Sequence, residues 1–278
     1  NSCTAALHLS LLSMKLKKGD EVITTPMTFA STINSIILAG GKPVLADIDK
    51  DTYNINPENI EKKITKKTKG ILLVHLAGLP CEIERINKIK KKYNLFLIED
   101  CAHGIETKYN NIHVGNFGDT GCFSFYSTKN LTTGEGGMII SKDKKIANKI
   151  RVLRLHGLSK DAWKRNLPAA VKFSSKFEHY DVTEVGLKYN LIDINSAIGL
   201  VQLKKIEKNL KIRKKIYNIY KKNLYGLPIK FQKFTTDTKN FRHAYHLCIV
   251  ELLNEKKDKY LRDKLIIYLQ KKRIGVGI

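Results

Sequence analysis

The stretch ILLVHLAGLPCEIERINKIKKKYNLFLIED, residues 71–100, decides the fold. It begins with ILLVHL and ends with LFLIED, two apolar runs of strand length. Between them, Ile83, Ile86, Ile89 and Tyr93 recur at the spacing of one helix face. A strand, a helix and a second strand in this order predict two parallel strands joined by a crossover helix.

The same alternation continues on both sides of this stretch. A helical pattern opens at Asn56-Pro57-Glu58, where a capping residue precedes proline at the first helical position. Alternating strands and helices predict an α/β fold with a mostly parallel central sheet and helices on both faces. Such sheets bind ligands at the carboxyl ends of their strands. The other runs of strand length are EVITT (21–25), PVLAD (43–47), GCFSFY (121–126) and GMIIS (137–141).

The chain is predicted to form a large α/β domain over residues 1–205 and a smaller α+β domain over residues 206–278. A helical pattern from about Asn195 to about Leu224 would join them as a spine. The smaller domain is predicted to contain a strand in RHAYHLCIVEL and a helix in RDKLIIYLQKKRIG. Residues 158–185 show no clear periodicity, which predicts a long connection of the kind that is functional or mobile.

Composition excludes several classes of protein. A hydrophobic content of 42% with 27% charged residues excludes general disorder. No apolar run has the length of a membrane span, and the first residues lack the basic start of a signal peptide, so a cytoplasmic location is expected. The five cysteines form no C-x-x-C pair, which argues against a disulfide framework or structural zinc. No metal is predicted, although His243 and His246 lie close in sequence.

The net charge of +24 leaves a second class of function open. Clustered basic residues bind phosphate backbones. The alternative to an enzyme is therefore a non-catalytic basic protein of the same fold, which either acts as a regulator or binds nucleic acid. However, the lysines in ENIEKKITKKTK and LKKIEKNLKIRKKIYNIYKKN occupy the polar positions of helical patterns. This distribution is typical of solvated helix faces, and no nucleic-acid partner is expected.

Lys129 differs from the other lysines by its position. It lies in SFYSTKNLTTGEGG (124–137), between a strand-like run and a glycine cluster, where a tight turn can direct its amine into a cleft. A lysine in an apolar pocket can lose its proton near neutral pH and form a Schiff base with a carbonyl. If that carbonyl belongs to pyridoxal 5′-phosphate (PLP), the ring also needs a carboxylate at its nitrogen and a cup of amides and hydroxyls for its phosphate.

Candidates for these partners exist elsewhere in the sequence. Asp100 ends the strand LFLIED, and His103 follows it in EDCAHG. Capping of a following helix is the alternative role for Asp100. SCTAAL (2–7) opens an apolar helix whose first amides could bind a phosphate, although an ordinary N-cap explains the same residues.

Further motifs, from residue 2 to about residue 275, occur together and in the same order in one known family. They are SCTAALHLSL, VITTPMTFASTINSIILAGGKPVLADID, HLAGLP, IEDCAHGIE, GCFSFYSTKNLTTGEGGMI, LRLHGLSKDAWKR, KYNLIDINSAIGLVQL and HAYHL. With these motifs the sequence resembles the nucleotide-sugar aminotransferases of the DegT/DnrJ type. The resemblance implies the fold of the fold type I PLP-transferases.

The resemblance also implies roles for individual residues. Lys129 would form the Schiff base with the cofactor and later move the substrate proton, and Asp100 would pair with the pyridinium nitrogen. Phe29 would stack on the ring, and His103 would lie against its other side or near its phenolic oxygen. The phosphate would be held by residues of two subunits of a homodimer, namely Cys3, Thr4 and Ser124 of one and Asn190 of its neighbour.

The implied reaction has two halves. An amino-acid donor, in this family L-glutamate, would leave its amino group on the cofactor. A nucleotide-linked keto-sugar would then accept it, in the biosynthesis of amino sugars for surface polysaccharide or related glycans, and residues 158–185 would form a wall for this substrate.

Leu79 and His103 stand where many relatives have glutamine, so polar contacts around the ring would differ in detail. The chain begins inside the first motif and stops before the family's terminal segment, which implies a truncation.

Overall fold

The structure is a computed structural model that describes residues 1–159, 181–234, 241–253 and 260–277. The strands are Glu21–Thr24 (β1), Lys42–Leu45 (β2), Thr68–Val74 (β3), Phe96–Asp100 (β4), Lys108–Tyr109 (β5), Ile112–His113 (β6), Thr120–Ser124 (β7), Gly137–Ile140 (β8), Ile229–Phe231 (β9), Phe241–Arg242 (β10) and Val250–Leu252 (β11). The α-helices are Cys3–Ser13 (α1), Ala30–Leu38 (α2), Pro57–Lys62 (α3), Ile83–Lys92 (α4), Lys144–Leu153 (α5), Asp193–Leu203 (α6), Ile206–Asn223 (α7) and Leu261–Lys271 (α8).

A six-stranded sheet in the order β2-β1-β3-β4-β7-β8 forms the centre of the fold. Its neighbouring strands are parallel except for β7 and β8, which pair antiparallel. The predicted mostly parallel α/β sheet is therefore confirmed. In this order β4 and β7 lie side by side, with Asp100 opposite Cys122, so the carboxyl ends of both strands meet at one edge.

Helices cover both faces of this sheet, and alternation along β3 shows how. Leu72 packs in a buried cluster with residues of α1 and α2, whereas Ile71 and Leu73 pack in another cluster with residues of α3 and α4. All three side chains are fully buried, and each contributes about 1.5–3 kcal/mol of hydrophobic free energy. The two clusters hold the sheet, and with it the ends of β4 and β7, in a fixed position.

The predicted start of α3 is confirmed. The Asn56 side chain accepts hydrogen bonds from the amides of Glu58 at 2.8 Å and Asn59 at 3.4 Å, and Pro57 occupies the first helical position. An N-cap of this kind satisfies amides that have no partner within the helix. The local sequence alone is therefore sufficient to determine this helix start.

The region after residue 190 differs from the sequence prediction in two places. The predicted spine consists of two helices, α6 and α7, because the Lys205 amide bonds to the carbonyl of Gln202 at 2.9 Å and tightens the last turn of α6. The strand predicted in RHAYHLCIVEL is wrong for residues 243–249. There Tyr245 has a φ of 50°, in the left-handed region, which interrupts an extended strand.

The smaller α+β part contains the antiparallel pair of β9 and β11 and the predicted helix α8. The boundary between residues 205 and 206 stays a prediction. Within the described ranges, no helix combines the length and the apolar character that crossing a membrane requires.

Candidate active site

Asp100 lies at the carboxyl end of β4 with 4% of its surface exposed. Its Oδ1 accepts a hydrogen bond from the Ala102 amide at 3.0 Å and faces the Cys3 thiol at 3.9 Å. Its Oδ2 accepts from the Thr32 hydroxyl at 3.1 Å. Burial raises the pKa of Asp100, and the hydrogen bonds from Ala102 and Thr32 and the charge of Lys129 only partly oppose this shift. No helix begins directly after Asp100, since residues 101–107 are non-helical, so the alternative role as a helix cap does not apply.

The neighbouring carboxylate, Glu99, points to the opposite face of the sheet, as alternation predicts. It accepts a hydrogen bond from His75 Nε2 at 3.0 Å and three more from amides of the loop after β6. Burial would raise the pKa of Glu99, but these hydrogen bonds outweigh burial and lower it. Ligand atoms of His75, Glu99 and Cys101 lie within 4.8 Å of one another. The second nitrogen of His75 accepts from the Cys81 amide, so hydrogen bonds already occupy this network.

Lys129 follows β7 on a turn closed by a hydrogen bond from its amide to the carbonyl of Tyr126 at 2.9 Å. The side chain is partly buried. Burial lowers the pKa of its amine, while the charges of Asp100 and Cys3 oppose this shift. Lys129 is also among the charges that shift the pKa of Asp100. The two predicted reacting groups therefore share one electrostatic environment at the ends of adjacent strands.

His103 lies beside them in a defined tautomer. Its Nδ1 accepts a hydrogen bond from the Ala77 amide at 3.2 Å, so in the neutral ring the proton is on Nε2. The ring stacks on His246 with centroids 4.4 Å apart. Burial, then His246 and Lys129, lower the pKa of His103 well below 6.5. His103 is consequently a neutral hydrogen-bond donor and not a base that titrates near neutral pH.

The start of α1 lies at the same edge of the sheet. Ser2 is an ordinary N-cap, since its hydroxyl accepts from the Ala5 amide at 3.1 Å. The first helical amides, those of Cys3 and Thr4, form no hydrogen bond with the described residues. Helix amides of this kind, at the positive end of the helix dipole, bind phosphate. The N-cap explanation of SCTAAL therefore holds for Ser2, and the phosphate role of Cys3 and Thr4 stays a prediction.

Gly137 in β8 joins this helix end to Ser124. The two residues pair directly across β7 and β8. A Cβ atom on Gly137 would lie 2.4 Å from the carbonyl carbon of Ser2 and 2.8 Å from the nitrogen of Cys3. Only glycine permits this approach. Ser124, the last residue of β7, is thereby placed next to the free amides of α1.

Two predicted site residues make fewer contacts. Phe29 precedes α2, whose Thr32 contacts Asp100, but the Phe29 ring is 79% exposed. Among the described residues, the side-chain amide of Asn190 donates only to the carbonyl of Leu191, at 3.5 Å. Both roles therefore stay predictions. Most of the predicted substrate wall, residues 160–180, lies outside the described residues.

Sequence reasoning missed Thr32 and His246 as neighbours of the site. Thr32 lies three residues after Phe29 in MTFAST, so the position of Phe29 at the start of a helix could have indicated it. His246 was assigned to a strand, and no local signal links it to His103.

The residues at this edge fit PLP. The buried carboxylate of Asp100 suits the ring nitrogen of that cofactor, and the Lys129 amine, with its lowered pKa, suits the aldehyde. The free amides at the start of α1 suit the phosphate.

The whole chain, residues 1–278, matches the model of the DegT/DnrJ/EryC1/StrS aminotransferase family. An uncharacterized protein of Methanocaldococcus jannaschii is 49% identical over 282 aligned positions, which cover 100% of this chain and 70% of that protein. The spore coat polysaccharide biosynthesis protein SpsC of Bacillus subtilis is 42% identical over 280 positions, which cover 100% of this chain and 69% of SpsC.

Solved structures give the same result. A Streptococcus pneumoniae protein assigned as a sugar aminotransferase, in its PMP-form, has a TM-score of 0.85 at 30% identity. The match covers 100% of this chain and 72% of that protein. Helicobacter pylori PseC, an aminotransferase involved in the biosynthesis of pseudoaminic acid, has a TM-score of 0.83 at 30% identity, over 98% of this chain and 69% of PseC.

The matched family is PLP-dependent, and the S. pneumoniae protein has been solved in PLP and PMP forms, so the predictions of fold type I and of PLP as cofactor are confirmed. Sequence match over the full length, identity above 40% to a curated relative and a shared fold all agree. The chain therefore belongs to the DegT/DnrJ/EryC1/StrS aminotransferase family.

Proposed function

We propose that this chain transfers an amino group from L-glutamate to a nucleotide-linked keto-sugar, in the biosynthesis of amino sugars for surface polysaccharide or a related glycan. The observation that carries the proposal is the placement of Lys129 and Asp100 at the ends of adjacent strands, where the charge of each acts on the pKa of the other. The names of SpsC and PseC, which refer to polysaccharide and pseudoaminic acid biosynthesis, support a sugar acceptor.

PLP, when bound, supplies an electron sink for the negative charge that develops as the substrate loses its α-proton. Asp100 would hold a proton at the ring nitrogen, which keeps that sink effective. The lowered pKa of Lys129 increases the fraction of neutral amine at neutral pH. Lys129 would use this amine to take the proton from the α-carbon of the donor and would then deliver that proton to the carbon of the cofactor.

The remaining site residues would bind and orient. The amides of Cys3 and Thr4 and the hydroxyl of Ser124 would hold the phosphate, since Ser124 pairs with Gly137, whose backbone lies against the start of α1. His103 would donate its Nε2 proton to the ring oxygen. Phe29 would cover one ring face, which would bury its exposed side chain.

A homodimer is part of the proposal, with Asn190 of the second copy completing the phosphate site. The support is the exposed apolar surface of α6, where Ile194 is 71% and Leu200 is 66% exposed. Exposed apolar patches of this kind mark interfaces, and the commonest is between two copies of one chain. The five cysteines are free, which supports action in the reducing cytoplasm.

Reduction with borohydride tests the site without any substrate. The purified protein, loaded with PLP, is expected to be yellow, and peptide mapping after reduction should find the cofactor on Lys129. Lys129→Ala should abolish this label, whereas Lys142→Ala, an exposed lysine beyond β8, should leave it unchanged. A label on another lysine would contradict the site assignment.

The donor and the acceptor need separate measurements. L-Glutamate added to the yellow protein should bleach it and release one equivalent of 2-oxoglutarate, and a panel of nucleotide-linked keto-sugars should then restore the colour. A colourless protein that binds DNA with a steep salt dependence would favour the non-catalytic alternative instead.

A further inference from the structure

Asn130, the residue after Lys129, has all of its side-chain hydrogen-bonding groups occupied. Its Nδ2 donates to Glu106 Oε2 at 2.9 Å and to the carbonyl of Ala244 at 3.2 Å, and its Oδ1 lies 2.9 Å from His246 Nδ1. Because a carbonyl can only accept, the orientation of the Asn130 amide is fixed and His246 must donate its Nδ1 proton. The residue next to the proposed reacting amine is therefore held by three groups.

One of these groups connects Asn130 to α7. Glu106 is 1% exposed and forms an ion pair with Arg213, which lies in α7. Arg213 also donates from Nε to the carbonyl of Ala244 at 3.3 Å. Charge-assisted hydrogen bonds in a buried site are strong and directional, so this pair fixes the position of α7 relative to Asn130.

The other two groups connect Asn130 to His103. The amides of Ala244 and His246 donate to the carbonyls of Gly78 and Ala77, each at 3.0 Å. The His246 ring then stacks on His103, whose Nδ1 accepts from the Ala77 amide. One continuous set of contacts thus links α7, Asn130 and the ring of His103.

We propose that Asn130 is a positioning residue, which holds Lys129 in its partly buried place and couples it to α7 through Glu106 and Arg213. The inference rests on the proposed role of Lys129. The ionisable groups that interact with the Lys129 amine are Asp100 of β4, Cys3 of α1, His103 and His246. Asn130 carries no charge, so its removal acts on Lys129 through position and access of water.

Competitive acetylation of the apo-protein, read by mass spectrometry at a series of pH values, gives the pKa of Lys129 without cofactor or substrate. In Asn130→Ala the pKa of Lys129 is expected to rise towards its ordinary 10.5, because water reaches the amine. Glu106→Gln, which keeps the shape of the side chain and weakens the hold on Arg213, should give a smaller rise. Asn116→Ala is the matched control, since the side chain of this partly buried asparagine donates to the backbone carbonyl of His113 and, within the described ranges, to no other group.

A structural role alone predicts a different result. It would lower the melting temperature of the variants and leave the pKa of Lys129 unchanged. If both Asn130→Ala and Glu106→Gln show this result, the proposal is overturned. If Asn130→Ala does not fold, Glu106→Gln decides by the same measurement. An ordinary pKa of Lys129 in the parent protein would argue against the proposed function instead, so the two failures are distinguishable.

Discussion

The end of β4 builds two different environments on the two faces of the sheet. On one face, Glu99 has both oxygens occupied by His75 and by loop amides. On the other face, Asp100 accepts from Ala102 and Thr32, and no described basic side chain lies within 4.0 Å of its carboxylate. Alternation along one strand thus places these two environments on opposite faces of the sheet. We call the face of Glu99 the closed side, because its carboxylate is fully hydrogen-bonded, and the face of Asp100 the open side.

The opposite pKa shifts show what this difference means energetically. Burial disfavours the charge of both carboxylates, but hydrogen bonds outweigh burial only at Glu99. Glu99 is therefore stabilised as an anion by the folded chain itself. Asp100 keeps a raised pKa, so its anion gains most from a cationic partner, and the protonated ring nitrogen of PLP would be such a partner.

Replacement of Lys129 by alanine should have the largest effect, and only on the open side of this comparison. We expect amino transfer to fall at least about a thousandfold, or about 4 kcal/mol in barrier, since the amine that reacts with the cofactor and moves the substrate proton is lost. The melting temperature should stay within a few degrees, because the Lys129 side chain is partly buried and is not a member of the buried apolar clusters of the described residues. Kinetics and thermal unfolding of Lys129→Ala beside Lys142→Ala measure both quantities.

Glu99→Gln should instead weaken the closed side. The variant turns an NH₂ group towards amide and imidazole donors, and we expect a loss of about 3 kcal/mol in the free energy of unfolding. Because the pKa of Glu99 is lowered in the folded chain, its contribution is present above the ordinary 4.5 and is lost as pH falls through the folded pKa. The difference between parent and variant should therefore shrink on acidification in urea unfolding. A pH-independent difference would contradict the hydrogen-bond account.

Asp100→Asn should show the opposite pH dependence in the apo-protein. The raised pKa of Asp100 means that its contribution to stability is present below the ordinary 3.8 and is lost as pH rises through the folded pKa. The variant should thus be more stable than the parent at neutral pH, by about 1 kcal/mol, and lose this advantage in acid. Its affinity for PLP should fall about tenfold, because the partner of the ring nitrogen is gone. Equal slopes of stability against pH for Glu99→Gln and Asp100→Asn would remove the contrast between the two faces.

The sequence was sufficient for the elements that local pattern determines. The six central strands, the cap at Asn56 and the opposite orientation of Glu99 and Asp100 all follow from periodicities of a few residues. The end of α6 was not predictable in this way, because neither proline nor glycine marks Lys204 and Lys205. Such a break depends on what each helix packs against.

The contacts that complete the candidate site are long-range, which is why they were missed. Thr32 and Asp100 are 68 positions apart, and Asn130 and His246 are 116 apart. A single sequence contains no spacing rule for such pairs. The family resemblance supplied the reacting residues, but the supporting hydrogen bonds come only from the fold.

His103 offers the smallest and most specific test of the open face. Since its pKa lies well below 6.5, it stays neutral at working pH and can only donate from Nε2. His103→Gln keeps a donor and should lower the rate by less than about fivefold, whereas His103→Phe keeps a ring without a donor and should lose about tenfold more. The pH profile of the rate should be the same near pH 6.5 in the parent and in His103→Gln. If the parent instead shows an inflection there that the variant lacks, His103 titrates as a base, and the tautomer fixed by Ala77 is not the working one.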